Sequence, residues 1–229
     1  MPAPTGVTSE NQFSHQTSKG LHIQLLHISK LYTDNTGRFP VRARSGNQYM
    51  IIVYHCNLNV ILACPFHLHK EVHILQAYNA IMERLKSRRH HVDLQVLDNE
   101  ASMAYRQIIT DKWKSDFQLV PPNIHRRNAA ERAIRTFKAH FLAIIAVVAP
   151  DCLRNLWGLL ISQTELTLNL LRQARLDHTK LAWEAFAGPL NYDAKPLGPL
   201  GCEVNSHKKW AQETRGTSVD SWPGILVSP

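Results

Sequence analysis

The chain has 229 residues, with 26 lysines and arginines against 18 aspartates and glutamates, a formal net charge of +8 and a pI near 9.5. Hydrophobic residues make up 44% of the chain and charged residues 19%, which predicts one globular domain with tails and excludes wholesale disorder. The sequence lacks an apolar run of membrane-span length, a signal-peptide pattern and a CxxC pair. We therefore expect an intracellular protein with an acidic partner and no membrane association.

The first third of the chain predicts a leader followed by strands. Residues 1–28 are polar and rich in Ser, Thr, Gly and Pro, which indicates a flexible leader. The segment 22–31 fits either a short helix or an entering strand. Three β-rich runs separated by turn residues then predict successive antiparallel strands. These runs are Leu31–Val41, Tyr49–Tyr54 and Val60–Phe66.

After the third run, the spacing of hydrophobic residues changes from every second residue, as in a strand, to the 3.6-residue period of a helix. Apolar residues at Ile74, Tyr78 and Ile81 predict an amphipathic helix. The elements expected after it are a strand at Val92–Leu97, a helix at Ala101–Trp113, a strand at Phe117–Val120 and helices at Asn128–Pro150 and Leu153–Leu171. A hairpin followed by β-α units predicts a mixed five-stranded sheet flanked by helices, the arrangement of the RNase H-like fold. We expect this core at residues 29–185 and a tail at 186–229.

Three acidic residues occupy positions that such a sheet could bring together. Asp34 lies in the first strand, Asp98 ends the fourth, and Glu131 begins the helix after the double proline. Adjacent carboxylates repel, so a cluster of them is reasonable where divalent cations neutralise it. Mg²⁺ prefers oxygen ligands, and two such ions can support an in-line phosphoryl displacement. The pattern therefore indicates a two-metal site.

Each of these residues also has a simpler explanation. The Thr-Asp-Asn-Thr-Gly context of Asp34 is typical of a turn. Asp98 could cap the following helix, and Glu131 could close a capping box with Asn128. Taken one at a time the simpler explanations are favoured; taken together the three positions favour a site.

The helix that begins near Asn128 carries charge on one face and apolar residues on the other. Glu131, Arg135 and Lys138 stand at i, i+4 and i+7, so they share one face. The residues expected on the buried face are Ile134, Phe137, Phe141 and Ile145. Cations beside a metal-binding acid could hold a phosphate backbone. The simpler explanation is a Glu–Arg pair that contributes a few tenths of a kcal/mol.

Three separated blocks of the sequence, in this order, resemble one family. They are LYTDNTGRFPVRARSGNQYMIIVYHCNLNVIL, VLDNEASMAYRQ and PPNIHRRNAAERAIRTFKAHF. They are similar to the catalytic core of retroviral and retrotransposon integrases, most of all to retrotransposon polyproteins, with copia-type elements as the expected source. The resemblance spans about residues 29 to 175.

The resemblance implies an RNase H-like fold and a D,D,E triad that binds two Mg²⁺ or Mn²⁺ ions. It also implies DNA integration: a polynucleotidyl transferase with endonuclease activity would process retroelement DNA ends and join them to target DNA. The resemblance further implies that the enzyme acts as a homo-oligomer. Asp34, Asp98 and Glu131 match the triad. The residues expected to bind DNA are Arg126, Arg127, Asn128, Arg135 and Lys138.

Two departures from the family pattern support an alternative function. The chain has Asp98-Asn99-Glu100 where the family commonly has Asp-Asn-Gly, and no His-His-Cys-Cys zinc module precedes residue 30. The alternative is a catalytically inactive, nucleic-acid-binding integrase remnant, part of a truncated polyprotein.

One further cluster could bind a metal. His67, His69 and His73 have a spacing that could chelate zinc or nickel, but they lie at a predicted strand-to-helix turn. A metal site there is the less favoured explanation.

Overall fold

A five-stranded mixed sheet forms the centre of the protein, as the sequence predicts. The structure is a computed structural model that describes residues 28–98, 101–120, 129–147, 154–194, 197–198, 203–206 and 222–225. The strands are β1 (Lys30–Asn35), β2 (Tyr49–His55), β3 (Val60–Phe66), β4 (Leu94–Leu97) and β5 (Asp116–Leu119). Their order is β3-β2-β1-β4-β5, in which β1–β2 and β2–β3 are antiparallel and β1–β4 and β4–β5 are parallel.

Helices cover the sheet. They are α1 (Glu71–Ser87), α2 (Met103–Gln107) with a π-helical turn at Ile108–Lys112, α3 (Ala129–Val147), α4 (Trp157–Leu170) after a 3-10 turn at Arg154–Leu156, and α5 (Ala182–Ala187). A separate antiparallel pair joins β6 (Glu203–Ser206) and β7 (Trp222–Ile225). Among the described helices, none has the length and apolar character needed to cross a bilayer.

The two faces of the sheet carry different helices. Along β2, Ile51 and Val53 point to the side packed by α1, whereas Met50 and Ile52 point to the side packed by α3 and α4. Alternation along a strand sends neighbouring side chains to opposite faces, so a strand that is apolar throughout must be covered on both. This is why the β2 sequence YMIIVYH is buried along nearly its whole length.

Several elements differ from the sequence predictions. The first strand ends at Asn35 rather than at residue 41, and the next N–H, from Thr36, donates to the Met50 carbonyl at 2.8 Å. The chain then leaves the strand geometry, because Phe39 stacks on Trp157 with ring centroids 4.6 Å apart. The second predicted helix widens into a π-helical turn after α2, and α5 was not predicted.

The buried stripe of α3 also differs in part from the prediction. Phe137 and Phe141 are buried as expected, but Ala133 completes their stripe and Ile145 is 38% exposed. Ile144, rather than Ile145, packs on this core. A helical period of 3.6 residues keeps positions 133, 137, 141 and 144 on one face and turns position 145 away from it.

Polar side chains of α4 cover the edge of the sheet at β3. Asn169 accepts from the Ile61 N–H at 2.9 Å and donates to the Ile61 carbonyl at 2.8 Å. Glu165, which is 2% exposed, accepts from the Ala63 N–H at 2.9 Å and forms an ion pair with Arg84 of α1. Unpaired strand edges promote aggregation, so these contacts satisfy the edge and join α4, α1 and β3.

Removing the Glu165 carboxylate should cost substantial stability. Glu165→Ala leaves the Ala63 N–H without its partner and Arg84 without its counterion, so we expect the free energy of unfolding to fall by roughly 3 kcal/mol. Urea denaturation followed by circular dichroism measures this change. Glu83→Ala, which breaks the exposed ion pair between Glu83 and Lys112, is the matched control and should cost less than about 1 kcal/mol. Equal losses in the two variants would show that the edge contact does not stabilise the fold.

His55 at the end of β2 is held in its neutral form. It is 3% exposed, its Nδ1 accepts from the Leu58 N–H at 3.3 Å, and its Nε2 lies 3.0 Å from the Ser29 hydroxyl. With Nδ1 as acceptor, Nε2 carries the proton and donates to Ser29. Burial first, and then the nearby His90, lower the pKa of His55 from 6.5 to about 4.

This lowered pKa predicts a loss of stability in acid. The unfolded chain binds a proton on His55 below pH 6.5 while the folded chain resists it until about pH 4, so stability is complete above pH 6.5 and falls as the pH drops through this window. The full difference corresponds to roughly 3 kcal/mol. Unfolding free energies measured against pH should therefore fall more steeply for the natural chain than for His55→Asn. His91→Asn, at an exposed histidine, should keep the steep profile; a steep profile in His55→Asn would contradict the prediction.

Candidate functional site

The parallel pairing of β1 with β4 brings two of the predicted acidic residues together. Tyr32 pairs with Val96, and continuing this register by two residues on each strand places Asp34 beside Asp98. Residues two apart on a strand point to the same face, so both carboxylates lie on the side of the sheet that α3 covers. Asp34 is half-buried in β1 and Asp98 is exposed just past β4.

Hydrogen bonds on the opposite face hold these two strands and α2 in place. The Tyr105 hydroxyl of α2 donates to the Thr33 hydroxyl at 3.2 Å, directly before Asp34 in the chain. The Tyr78 hydroxyl of α1 donates to the Gln95 side chain of β4 at 2.8 Å, and the Tyr78 and Tyr105 rings meet edge to face at 4.7 Å. The Gln95 Oε1 is satisfied in this way, whereas its Nε2 is buried without a hydrogen-bond partner among the described residues. Directional hydrogen bonds between buried groups favour one arrangement of the elements that carry them. The network thereby sets the position of Asp34 relative to the chain that follows Asp98.

Glu131, the third acidic residue, shares a different cleft with Asp34 from the one that Asp98 lines. Glu131 lies in the first turn of α3, and with Asp34, Arg135 and Lys138 it lines a cleft of about 540 Å³. A second cleft of about 510 Å³ is lined by both Asp34 and Asp98. Asp34, with its neighbour Asn35, therefore lines both clefts, and Asp98 lines one of them and Glu131 the other.

The electrostatics of Asp34 reflect this position. Burial raises the pKa of Asp34 above its ordinary value, and the negative charges of Asp98 and Glu131 raise it further. The hydrogen bond that its Oδ1 accepts from the Asn35 N–H, at 2.7 Å, and the positive charge of Lys138 act in the opposite direction. Asp34 thus interacts electrostatically with both Asp98 and Glu131.

The simpler explanations for these residues do not all apply. Asp34 lies within β1 and not in a turn. The N-cap of α2 is Ser102, whose hydroxyl accepts from the Tyr105 N–H at 3.2 Å. The capping box of Glu131 with Asn128 cannot be assessed, because Asn128, like the predicted DNA-binding residues Arg126 and Arg127, lies outside the described residues.

The three clustered histidines do not form a metal site. His67 contacts the Gly46 carbonyl at 2.5 Å and Arg42 at 3.0 Å, whereas His69 packs against the Tyr49 ring with centroids 5.5 Å apart. The rings of His67 and His73 are 5.9 Å apart and near perpendicular. Their side chains therefore have separate structural contacts.

The donor set around Asp34 fits a divalent cation in its chemistry. Carboxylate oxygens are the ligands that Mg²⁺ and Mn²⁺ prefer, and mutual repulsion at Asp34 is the condition that a cation relieves. Within the described part of the chain, no three His, Cys, Asp or Glu side chains are grouped closely enough to hold a metal. A metal bound by all three carboxylates would therefore have to draw Asp98 and Glu131 towards Asp34.

The sequence analysis did not single out other residues that line the clefts. Asn35 borders both clefts, and its Oδ1 is buried without a hydrogen-bond partner. His69 and Glu71, at the start of α1, border the cleft that Asp34 and Asp98 share. Asn35 could have been found by its position next to Asp34; the other two reach the cleft only through tertiary structure.

Comparisons with solved structures agree with this architecture. A chain of the simian T-cell lymphotropic virus intasome in complex with the PP2A regulatory subunit B56 gamma matches with a TM-score of 0.54 and 15% identity, over 94% of this chain and 86% of that one. The BIV integrase catalytic core domain matches with a TM-score of 0.49 and 15% identity, over 69% of this chain and 92% of that one. The HTLV-2 integrase catalytic core domain in complex with magnesium, in a dimeric form, gives 0.49 and 12%, over 70% and 95%.

These likenesses concern the fold. The likeness with a TM-score of 0.54, together with the strand order, shows that the chain has the RNase H-like fold predicted for it. No family model matches the chain, and no curated protein matches it.

Charge changes around Asp34 should move its pKa in opposite directions. Asp98→Asn and Glu131→Gln each remove a negative charge, so each should lower the Asp34 pKa, which burial will still hold above the ordinary value. Lys138→Gln removes the opposing positive charge and should raise the Asp34 pKa. Carboxyl ¹³C chemical shifts followed through an acid titration report these changes. An Asp34 pKa unaffected by all three substitutions would show that the carboxylates do not interact.

Proposed function

We propose that this chain is the catalytic core of a DNA integrase, a polynucleotidyl transferase and endonuclease that processes retroelement DNA ends and joins them to target DNA. The observation that carries the proposal is the half-buried Asp34 on the central strand, flanked by Asp98 and Glu131 and electrostatically coupled to both. An RNase H-like sheet with acids at these positions supports phosphoryl-transfer chemistry more than any other class.

Some side chains of the site would bind metal ions and others would bind DNA. Asp34, Asp98 and Glu131 would hold two Mg²⁺ or Mn²⁺ ions. When bound, the ions would activate the attacking hydroxyl group and stabilise the leaving 3′-oxygen. Arg135 and Lys138 line the cleft with Glu131, so they would neutralise the phosphates next to the scissile one and orient the strand. Arg126, Arg127 and Asn128, just before α3, would extend this contact.

The proposal extends to the genetic element that encodes the chain and to the oligomer in which the chain acts. The sequence blocks around the three acids support a retrotransposon origin, with a copia-type element as the expected source. The match to a chain of an intasome supports a homo-oligomer that acts on element ends and target DNA together. A nuclear or cytoplasmic location would follow from this function.

Two observations favour a second candidate, an inactive nucleic-acid-binding remnant with the same fold. The described residues include no group of three side chains placed to hold a metal, and Glu100 follows Asp98 and Asn99 where the family commonly has glycine. A remnant would bind DNA in a salt-dependent way without cleaving it.

Metal-dependent nicking separates the two candidates. The purified chain with a short labelled DNA duplex and Mn²⁺ should give cleavage that a chelator abolishes, because the metal would activate the attacking water. Asp34→Asn and Glu131→Gln should each reduce the cleavage rate by at least about 100-fold, since each removes a metal ligand. Gel electrophoresis of the labelled strand measures the rates.

The control for these variants is Asp116→Asn. Asp116 is an exposed acid at the start of β5, away from the cleft, so its variant should cleave at the natural rate. DNA binding without cleavage by the natural chain would favour the remnant, and equal rates in Asp34→Asn and Asp116→Asn would remove Asp34 from the active site.

A further inference from the structure

Two arginines lie over the ring of a buried tyrosine on the α3 and α4 side of the sheet. The guanidinium carbons of Arg172 and Arg175 lie 5.8 Å and 5.6 Å from the centroid of the Tyr54 ring. A third arginine, Arg132 of α3, acts on the same residue through its charge: burial raises the pKa of Tyr54, and the positive charges of Arg175, Arg172 and Arg132 oppose that rise. We call Arg132, Arg172 and Arg175 the arginine cluster.

Neutral groups hold two members of the cluster in place. The Arg172 Nε donates to the Asn59 carbonyl at 2.9 Å, and its Nη2 donates to the Asn59 side chain. The Tyr54 hydroxyl donates to the same Asn59 oxygen at 2.9 Å. Arg175 donates to the Cys56 sulfur at 3.1 Å. Guanidinium groups fixed by ring faces and hydrogen bonds lose less entropy when they bind an anion.

The ion pairs among the described side chains involve cations other than the three arginines of the cluster. Burial lowers the pKa of Arg172, and the like charge of Arg175 lowers it further. The fold therefore keeps mutually repelling cations together, two of which, Arg132 and Arg175, are exposed.

We propose that the arginine cluster is a binding site for the phosphate backbone of a nucleic acid. Exposed guanidinium groups match phosphate through paired hydrogen bonds, and the net charge of +8 favours a polyanionic partner. The Tyr32 ring lies beside the Tyr54 ring, with centroids 6.2 Å apart, and Tyr32 precedes Asp34 by two residues on the same face of β1. This is about 7 Å along the strand, so one bound nucleic acid could contact both places. The choice of nucleic acid as ligand rests on the function proposed above, but binding at the cluster requires none of the carboxylates.

Equilibrium binding in the absence of metal tests this site. The full chain is titrated into a short fluorescein-labelled DNA duplex in chelator, over a series of salt concentrations, and fluorescence anisotropy gives the Kd. The double variant Arg132→Gln/Arg175→Gln should weaken binding by about tenfold at low salt and reduce the slope of log K against log salt by about 0.9 for each lost phosphate contact.

Three control variants isolate the cluster. Lys86→Gln removes one exposed positive charge from α1 on the other side of the sheet, and it should leave the Kd and the slope nearly unchanged. Arg132→Lys/Arg175→Lys keeps both charges, so it should recover the slope. Asp116→Asn, at the exposed acid at the start of β5, should bind as the natural chain does, and because the titration is done in chelator its outcome does not depend on the catalytic proposal.

A second readout localises the contact. Cys56 is half-exposed and lies against Arg175, so bound DNA should slow its alkylation by iodoacetamide, measured by mass spectrometry of the Cys56 peptide. Cys64, which lies in β3, is the internal reference. The proposal is wrong if the double glutamine variant matches Lys86→Gln in Kd and salt slope, or if saturating DNA leaves the alkylation rate of Cys56 unchanged.

Discussion

The placement of Asp34 is the constraint on which the rest of the site depends. Partial burial and two neighbouring carboxylates raise the free energy of the charged form of Asp34. The pKa of Asp34 is raised for this reason. Only the Asn35 N–H and the charge of Lys138 oppose this among the influences on its pKa. A fold that keeps this arrangement stores an unfavourable interaction that a cation can relieve, and such arrangements are typical of functional sites.

The scaffold holds Asp34 in place by pairing its strand on both edges. β1 is the central strand, antiparallel to β2 and parallel to β4, so both of its edges are paired. The Tyr105–Thr33 hydrogen bond ties α2 to β1 one residue before Asp34. At the far edge, Glu165 and Asn169 of α4 close β3. These contacts position the strand end, and α3 then brings Glu131, Arg135 and Lys138 over it.

The sequence predicted the parts of this structure that local patterns encode. Alternating and helical periods located all five strands of the main sheet and its longer helices, since burial on one or two faces imposes these periods. The end of β1 was missed because Phe39 finds its partner, Trp157, more than a hundred positions later. The hydrogen bonds from Ile61 to Asn169 and from Ala63 to Glu165 also join residues about a hundred positions apart. A local sequence pattern therefore could not predict them.

The candidate site, too, could be predicted from the sequence only in part. Residue types and their order suggested Asp34, Asp98 and Glu131, but their proximity depends on the register of two strands separated by a helix. The arginine cluster joins residues of α3, the β2–β3 hairpin and the chain after α4, and it was not apparent before the tertiary structure. The histidine spacing at 67–73 suggested a metal site that the side-chain contacts do not support.

Binding of Mn²⁺ to the folded chain tests most directly whether the three acids act as one site. Electron paramagnetic resonance follows the loss of free Mn²⁺ signal as the natural chain, Asp34→Asn and Asp116→Asn are titrated. The account predicts saturable binding by the natural chain and by Asp116→Asn, and at least about tenfold weaker binding by Asp34→Asn, because Asp34 is the carboxylate coupled to both others. Equal binding curves for Asp34→Asn and the natural chain would contradict it.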